Sequence, residues 1–250
     1  DIKIDEPEMI QGKVKKFLQP YFDYFAALPT TLQLNDFIFV HAGIEKRQDW
    51  QNSKLSSLIE LQTFYHDGHC LNNYVIVGHL PTSNQYSNSI NNSIIIDDNK
   101  KIISLDGGIG VKSISQLNAL IINGNNDKYD FVKEYVQPLP LYEVLVDINV
   151  SFKEPVKISW PYFEVEVLKE NSNFSKCRQL VTNNILNIKN EFLYRRNNKL
   201  YCLDDYVDYQ MSLNKGDIVK MIGIYGIYAY IIKNNEVGWI KYRYLRKYNE

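Results

Sequence analysis

FIFVHAG, residues 37–43, and YVIVGHLPT, residues 74–82, are two apolar runs that each end beside a histidine and a glycine. Continuous apolar runs of this length are typical of strands covered on both faces of a sheet. Leu55–Phe64 lies between them and carries apolar residues at helical spacing. Strand, helix, strand is the order that joins neighbouring parallel strands. The sequence therefore predicts a parallel pair, with His41 and His79 just past the two strand ends.

Further segments extend this pattern on either side. Pro7, followed by apolar residues at helical spacing, predicts a helix near the N-terminus. Ser93–Ile96 and Lys101–Leu105 flank a cluster of turn residues and predict a hairpin. Leu117–Ile122 predicts one more strand, and Asn123–Asp127 predicts a loop from its composition.

The two histidines are candidate metal ligands. Neighbouring strands lie about 4.8 Å apart, so imidazoles at adjacent strand ends can meet at one ion that takes each nitrogen at about 2.0–2.1 Å. The adjacent Gly43 and Gly78 let backbone or substrate approach closely. The alternative is that His41 and His79 are ordinary histidines bonded to backbone carbonyls. The pattern leaves both interpretations open.

FVHAGI, VGHLPT, and IISLDGGIG followed by LNALIING occur in an order that resembles a known family. They are similar to the C-terminal half of the calcineurin-like metallophosphoesterases, specifically the bacterial serine/threonine phosphoprotein phosphatases, over about residues 10–125. The resemblance implies that His41 and His79 ligate one of two divalent ions, Mn, Fe or Zn, whose bridging water attacks phosphorus. The turn that contains Asp106 is expected to close the sheet near the site, and Asp106 is assigned a structural role.

Other motifs of that family are missing from the chain. They are D-x-H, GDxxDRG, and GNH followed by an acidic residue, and in the family they precede the HAG motif. Leu55–Asp67 also lacks the arginine that often grips phosphate in that family. Two histidines without carboxylates leave a divalent ion short of ligands and of negative charge. We therefore expect this chain to supply part of one metal site, with no catalytic residue assigned and the remainder supplied upstream of Asp1.

The C-terminal region predicts β structure. Lys215–Asp217 and Gly238–Trp239 resemble the "kGd" and "GW" strands of bacterial Src-homology-3-like barrels, over about residues 185–247. Such modules bind peptides, cell-wall pieces or a neighbouring domain, so Trp239 and nearby tyrosines are either ligand contacts or core. The predicted fold class is α+β or α/β. It comprises the C-terminal half of a metallophosphoesterase mixed β-sandwich with flanking helices (1–130), a β-rich connecting region (131–184) and a small β barrel (185–250).

Two further segments have candidate functions. His66–Cys70 contains two histidines and a cysteine, which are good zinc ligands, but it has no second ligand pair nearby, so a polar loop is preferred. Lys241–Tyr248 interleaves basic and aromatic residues, a combination that binds single-stranded nucleic acid. A strand with one solvated face is preferred there, because the net charge of -1 gives no general attraction for nucleic acid.

The composition indicates the cellular compartment and the kinds of partner to expect. The 3 cysteines form no CxxC pair, which favours a reducing compartment. No apolar run reaches membrane-spanning length and Asp1–Glu6 is not a signal peptide, so we expect a cytoplasmic protein with no membrane partner and no nucleic acid. The predicted function is metal-dependent hydrolysis of phosphate esters on a phosphorylated protein or small molecule. The alternative is a non-catalytic phosphatase-like remnant that binds a peptide or an intramolecular ligand through its barrel.

Overall fold

The N-terminal part of the chain builds one five-stranded sheet. The computed structural model describes residues 7–125, 128–151 and 153–248, so the N-terminal hexapeptide lies outside the described residues. The elements are α1 (Pro7–Leu18), α2 (Phe22–Ala27), β1 (Thr31–Leu34), β2 (Phe37–Val40), α3 (Leu55–Glu60), α4 (Phe64–Asp67), β3 (Tyr74–Val77), β4 (Ile95–Asp97) and β5 (Ile102–Ser104). Short 3₁₀ helices lie at Gln19–Tyr21, Trp50–Asn52 and Thr82–Gln85.

The strands of this sheet follow the order β1-β2-β3-β5-β4. As predicted, β2 and β3 are parallel neighbours, and β4 and β5 form an antiparallel hairpin. Ile38, Val75 and Ile102 are fully buried on one face, where they pack in one cluster with Trp50 and Phe64. The central strands are therefore covered as their continuous apolar sequences predict.

The second face of the sheet is covered by a long hairpin of β6 (Leu117–Asn125) and β7 (Lys128–Val136). Its inward side chains, Leu120, Ile122, Tyr129 and Phe131, pack against Phe37, Ile76 and Ile103. The predicted loop at 123–127 is wrong for residues 123–125, which pair with β7, and residues 126 and 127 lie outside the described residues. The Tyr129 ring contacts Gly124, and this packing holds the polar end of the strand in register.

The C-terminal part is built almost wholly of strands. They are β8 (Leu141–Val144), β9 (Lys157–Ile158), β10 (Glu164–Lys169), β11 (Phe174–Gln179), β12 (Ile185–Lys189), β13 (Leu193–Arg196), β14 (Lys199–Cys202), β15 (Tyr206–Val207), β16 (Ile218–Tyr225), β17 (Tyr228–Lys233), β18 (Glu236–Lys241) and β19 (Leu245–Lys247). Two more 3₁₀ turns, Asn190–Phe192 and Tyr242–Tyr244, precede β13 and β19.

These strands form two five-stranded sheets and one two-stranded pair. One sheet has the order β18-β17-β16-β8-β19, so a strand before residue 145 joins the C-terminal strands. The other has the order β12-β11-β10-β14-β13, and β9 pairs with β15. Ile90 and Ile114 of the N-terminal part belong to the same buried cluster as Trp239, Tyr230 and Tyr206 of the C-terminal part. The two parts therefore share a core.

The predicted fold class, an α+β or α/β half of a metallophosphoesterase with flanking helices, is wrong. The structure is mostly β, with 41% strand and 18% helix, and α1 is the only helix of seven or more residues among those described. The predicted connecting helix splits because Leu61 is extended at ψ 106°.

The segment before β2 covers little of the sheet. From Met9 to Ala27 no residue is buried. Its large exposed apolar side chains continue into β1 and are Met9, Ile10, Val14, Phe17, Tyr21, Phe22, Tyr24, Phe25, Leu28, Leu32 and Leu34. None of the helices described is long and apolar enough to cross a membrane.

Candidate metal-binding pair and adjoining cavity

The structure brings His41 and His79 together. His41 follows β2 directly, and His79 is separated from β3 by Gly78 alone. The Gly78 N–H donates to the His41 carbonyl at 2.9 Å, which ties the two strand ends together. His79 Nδ1 lies 3.0 Å from His41 Nε2, and the ring centroids are 4.8 Å apart at an angle of 65°. The adjacent parallel strands predicted from the sequence therefore place both imidazoles at one locus.

This nitrogen separation has two chemical meanings. With neutral rings, one nitrogen donates and the other accepts a hydrogen bond. Two nitrogens bound to one ion at 2.0–2.1 Å are themselves about 2.9–3.4 Å apart, so the pair also fits two ligands of one metal ion. Within the described residues, neither ring bonds to a backbone carbonyl. The carbonyl bonds of the ordinary-histidine interpretation are therefore absent from the described residues, and a neutral pair bonded ring to ring is the alternative to a metal pair.

The two neighbouring glycines differ in their surroundings. A Cβ at Gly43 meets the ring of Phe64 at 2.6 Å, so this position admits no side chain unless Phe64 moves. A Cβ at Gly78 meets nothing within 4 Å. Close packing requires glycine at the first position, and at the second the surface beside His79 is open.

Asp106 has a structural role and also lies near the pair. Its carboxylate accepts the Gly108 N–H at 2.7 Å, and its carbonyl accepts the Thr82 N–H at 2.8 Å. Burial raises the pKa of Asp106, while the Gly108 hydrogen bond and the positive forms of His41 and His79 act in the opposite direction. The position of the DGG turn near the site was expected from the sequence, but the electrostatic interaction of its carboxylate with both rings was not.

The pair is not accompanied by a full ligand set. In the three described ranges, no group of three or more His, Cys, Asp or Glu side chains is placed to hold a metal ion. His41 and His79 thus supply two nitrogens, and Asp106 is the neighbouring carboxylate with which they interact electrostatically.

The zinc interpretation of His66–Cys70 does not fit the geometry. His69 Nε2 lies 3.0 Å from the Lys101 carbonyl, to which it must donate, and Nδ1 accepts the Leu71 N–H at 3.2 Å. Both nitrogens of His69 are therefore used. The His66 ring is 91% exposed and pairs with Asp67. His66 and Asp67 are the last two residues of α4, so the predicted polar loop is right only for residues 68–70.

The aromatic residues of the C-terminal sheets are mostly core. Trp239 is 2% exposed, stacks on Tyr230 at 4.3 Å and donates its indole N–H to the Val207 carbonyl at 3.0 Å. In the basic tail, Arg246 pairs with Glu143 at 2.7 Å and Arg243 lies over the ring of Tyr244. These contacts agree with a core tryptophan. The basic segment is a 3₁₀ turn, Tyr242–Tyr244, followed by the short strand β19, and so is not the single strand that was preferred.

A cavity of about 680 Å³ adjoins His79. His79 and Lys112 line it from the N-terminal part, and Trp160 and Asp204 line it from the C-terminal part. Beneath it, Lys112 Nζ lies 2.8 Å from the carboxylate of Asp205, and their side chains are only 6% and 3% exposed. No sequence motif pointed to this cavity, because its walls are far apart along the chain.

A buried lysine supports the same junction. Lys157 Nζ donates to the Ser83 carbonyl and, at 3.0 Å, to the Tyr86 carbonyl. Burial lowers the pKa of Lys157 to about 8, against the attraction of Asp205. The loop after His79 is thereby fixed to the C-terminal part.

Comparison with protein-family models, curated proteins and solved structures found no match for this chain.

Proposed function

We propose that this chain contributes a two-histidine half-site to a metal-dependent enzyme that hydrolyses phosphate esters. The observation that carries the proposal is the 3.0 Å separation between His41 Nε2 and His79 Nδ1 at the ends of two parallel strands. Strand ends hold ligands more rigidly than free loops do, and rigid positioning is what a catalytic metal requires.

Each residue of the pair and its surroundings has a separate role in this proposal. His41 and His79 hold a divalent ion such as manganese, and Asp106 lowers the local positive charge beside them. The ion, when bound, activates water and neutralises phosphoryl charge. The remaining carboxylate ligands come from polypeptide outside the described residues. The cavity beside His79 gives the ester group access to the pair.

The test uses the full-length protein that contains these residues. Manganese-dependent phosphate release is measured with para-nitrophenyl phosphate and with phosphoserine and phosphothreonine peptides. His41→Ala and His79→Ala should each lower the rate by at least about 100-fold, because each removes a ligand. His66→Ala is the matched control, since its ring is exposed and pairs with Asp67 and with neither of the two histidines. Unchanged activity in either of the first two variants would falsify the proposal.

Metal binding separates this proposal from the non-catalytic alternative. Calorimetric titration of the 250-residue chain with Mn²⁺ should show weak binding that His41→Ala abolishes, because two nitrogens alone underligand the ion. A full-length protein that binds manganese through His41 and His79 but releases phosphate from none of these substrates would support the remnant.

A further inference from the structure

The cavity beside His79 has walls that are fixed before any ligand arrives. Lys112 Nζ donates to the Asp205 carboxylate at 2.8 Å and to Asn84 Oδ1 at 2.9 Å. The Ser113 N–H donates to the Asp204 carboxylate at 3.0 Å. The Lys112–Asp205 and Ser113–Asp204 bonds cross from the N-terminal to the C-terminal part, so the cavity is a built feature of the junction. Its volume of about 680 Å³ lies within the ordinary range for small-molecule sites.

Trp160 gives this cavity an aromatic wall. Its side chain is 41% exposed, whereas Trp50 and Trp239 are 7% and 2% exposed. Its indole N–H donates to no described residue. Phe163 adds apolar surface to the same lining. A large aromatic face left open in a cavity is a platform on which a planar ring can stack.

For the group that stacks on Trp160, the polar groups of the cavity favour a neutral ring with a hydrogen-bond donor at its edge. Of the charged residues that line the cavity, Lys112 is already paired with the buried Asp205 carboxylate, so its charge is compensated. Asp204 is acceptor-only when ionised, and it retains lone pairs after accepting from the Ser113 and Asp205 N–H groups. The Ser113 hydroxyl, exposed at the rim, makes no hydrogen bond to another described residue.

From these features we infer that the cavity binds a nucleobase with an exocyclic amino group, such as adenine, stacked on Trp160 with its amino group directed at Asp204. The orientation of the attached phosphate towards His79 rests on the proposed function. The base site itself stands on Trp160, Asp204 and the fixed walls. The substrate class is thus a nucleoside phosphate ester, in preference to a phosphopeptide.

The first test measures binding of adenosine, which lacks phosphate, by calorimetry. Wild-type protein should bind adenosine, and Trp160→Ala should weaken binding by about tenfold or more through loss of stacking. Tyr162→Ala is the matched control, because Tyr162 is 49% exposed on the same segment but does not line the cavity. Circular dichroism and thermal unfolding confirm that the variants are folded.

The second test asks whether Asp204 accepts a hydrogen bond from the amino group of the base. Wild-type protein should prefer adenosine to inosine, which presents a carbonyl at that position, and Asp204→Asn should erase the preference because an amide offers both a donor and an acceptor. Failure of the wild type to bind adenosine at millimolar concentration would overturn the inference. Trp160-dependent binding of a phosphoserine peptide in place of adenosine would overturn it in favour of the peptide class.

The proposed hydrolysis and the proposed base site can be tested independently of each other. Adenosine binding with no metal-dependent hydrolysis in the full-length protein would remove the proposed function and keep the base site. Hydrolysis of phosphopeptides without adenosine binding would keep the function and remove the base site.

Discussion

Lys112 and Asp205 form a buried ion pair, 2.8 Å from Nζ to Oδ1, between residues 93 positions apart in the chain. The pair lies where the N-terminal sheet meets the C-terminal sheets, beside the shared cluster that contains Ile90 and Ile114. Two desolvated charges at such a junction make its geometry specific. Removing either one leaves the other charge buried without a partner, which is strongly unfavourable. The arrangement of the cavity beside His79 therefore depends on this contact.

We predict that Lys112→Met will lower the free energy of unfolding by about 3 kcal/mol or more, because it leaves the Asp205 carboxylate buried without its main partner. Chemical denaturation provides the measurement. Arg178→Met is the control, since the Arg178–Glu166 pair is 40% and 45% exposed and should contribute less than about 1 kcal/mol. Equal losses in the two variants would show that the junction pair is no more important than a surface pair.

The glycines beside the two histidines should respond differently to alanine. Gly43→Ala should cost about 1–3 kcal/mol, because its Cβ overlaps the Phe64 ring and the core must shift. Gly78→Ala should change stability by less than about 0.5 kcal/mol, because the added Cβ meets nothing within 4 Å. Thermal or denaturant unfolding measures both. A cost at Gly78 equal to that at Gly43 would contradict the packing seen here.

The site could be predicted from the sequence better than the fold could. FIFV and YVIV are continuous apolar runs, and this local pattern was enough to place His41 and His79 at the ends of parallel neighbours. The helical content was overestimated because apolar spacing in Leu55–Phe64 does not reveal the extended backbone at Leu61. Short apolar segments leave helix and strand ambiguous until tertiary contacts decide between them.

The junction could not be read from the sequence for a different reason. Lys112 and Asp205 have no local pattern that pairs them, and the partner of β8 lies more than 70 residues downstream. Trp160 stands beside Pro161 in a stretch with no motif. Only the pairing of distant strands brings this residue to face His79 across a cavity. Contacts between distant segments carry no single-sequence signature.

The three cysteines should differ sharply in reactivity. Cys70 is exposed, whereas Cys177 and Cys202 are 0% and 1% exposed. Burial also raises the pKa of Cys177 to about 11 and that of Cys202 to about 12, which suppresses the reactive thiolate. Titration with a thiol reagent at pH 8 should therefore label one thiol in native protein and three in denaturant. Rapid labelling of more than one native thiol would contradict the burial of Cys177 and Cys202.

The free energy of unfolding at alkaline pH should depend on the ionisation of Cys177. Its pKa is about 11 in the folded chain against 9.0 for a free thiol, because burial penalises the thiolate. Between these values the unfolded chain loses a proton that the folded chain keeps, so this contribution to stability is complete below pH 9 and declines as the pH rises to 11. The decline is about 1.36 kcal/mol per pH unit for one such group.

Unfolding free energies of wild type and Cys177→Ala, measured from pH 8 to 11, should run parallel up to pH 9. Above pH 9 the wild type should fall more steeply. The comparison cancels the titration of Lys157 and the buried tyrosines, which both proteins share, so parallel curves throughout would place the Cys177 thiol in contact with water.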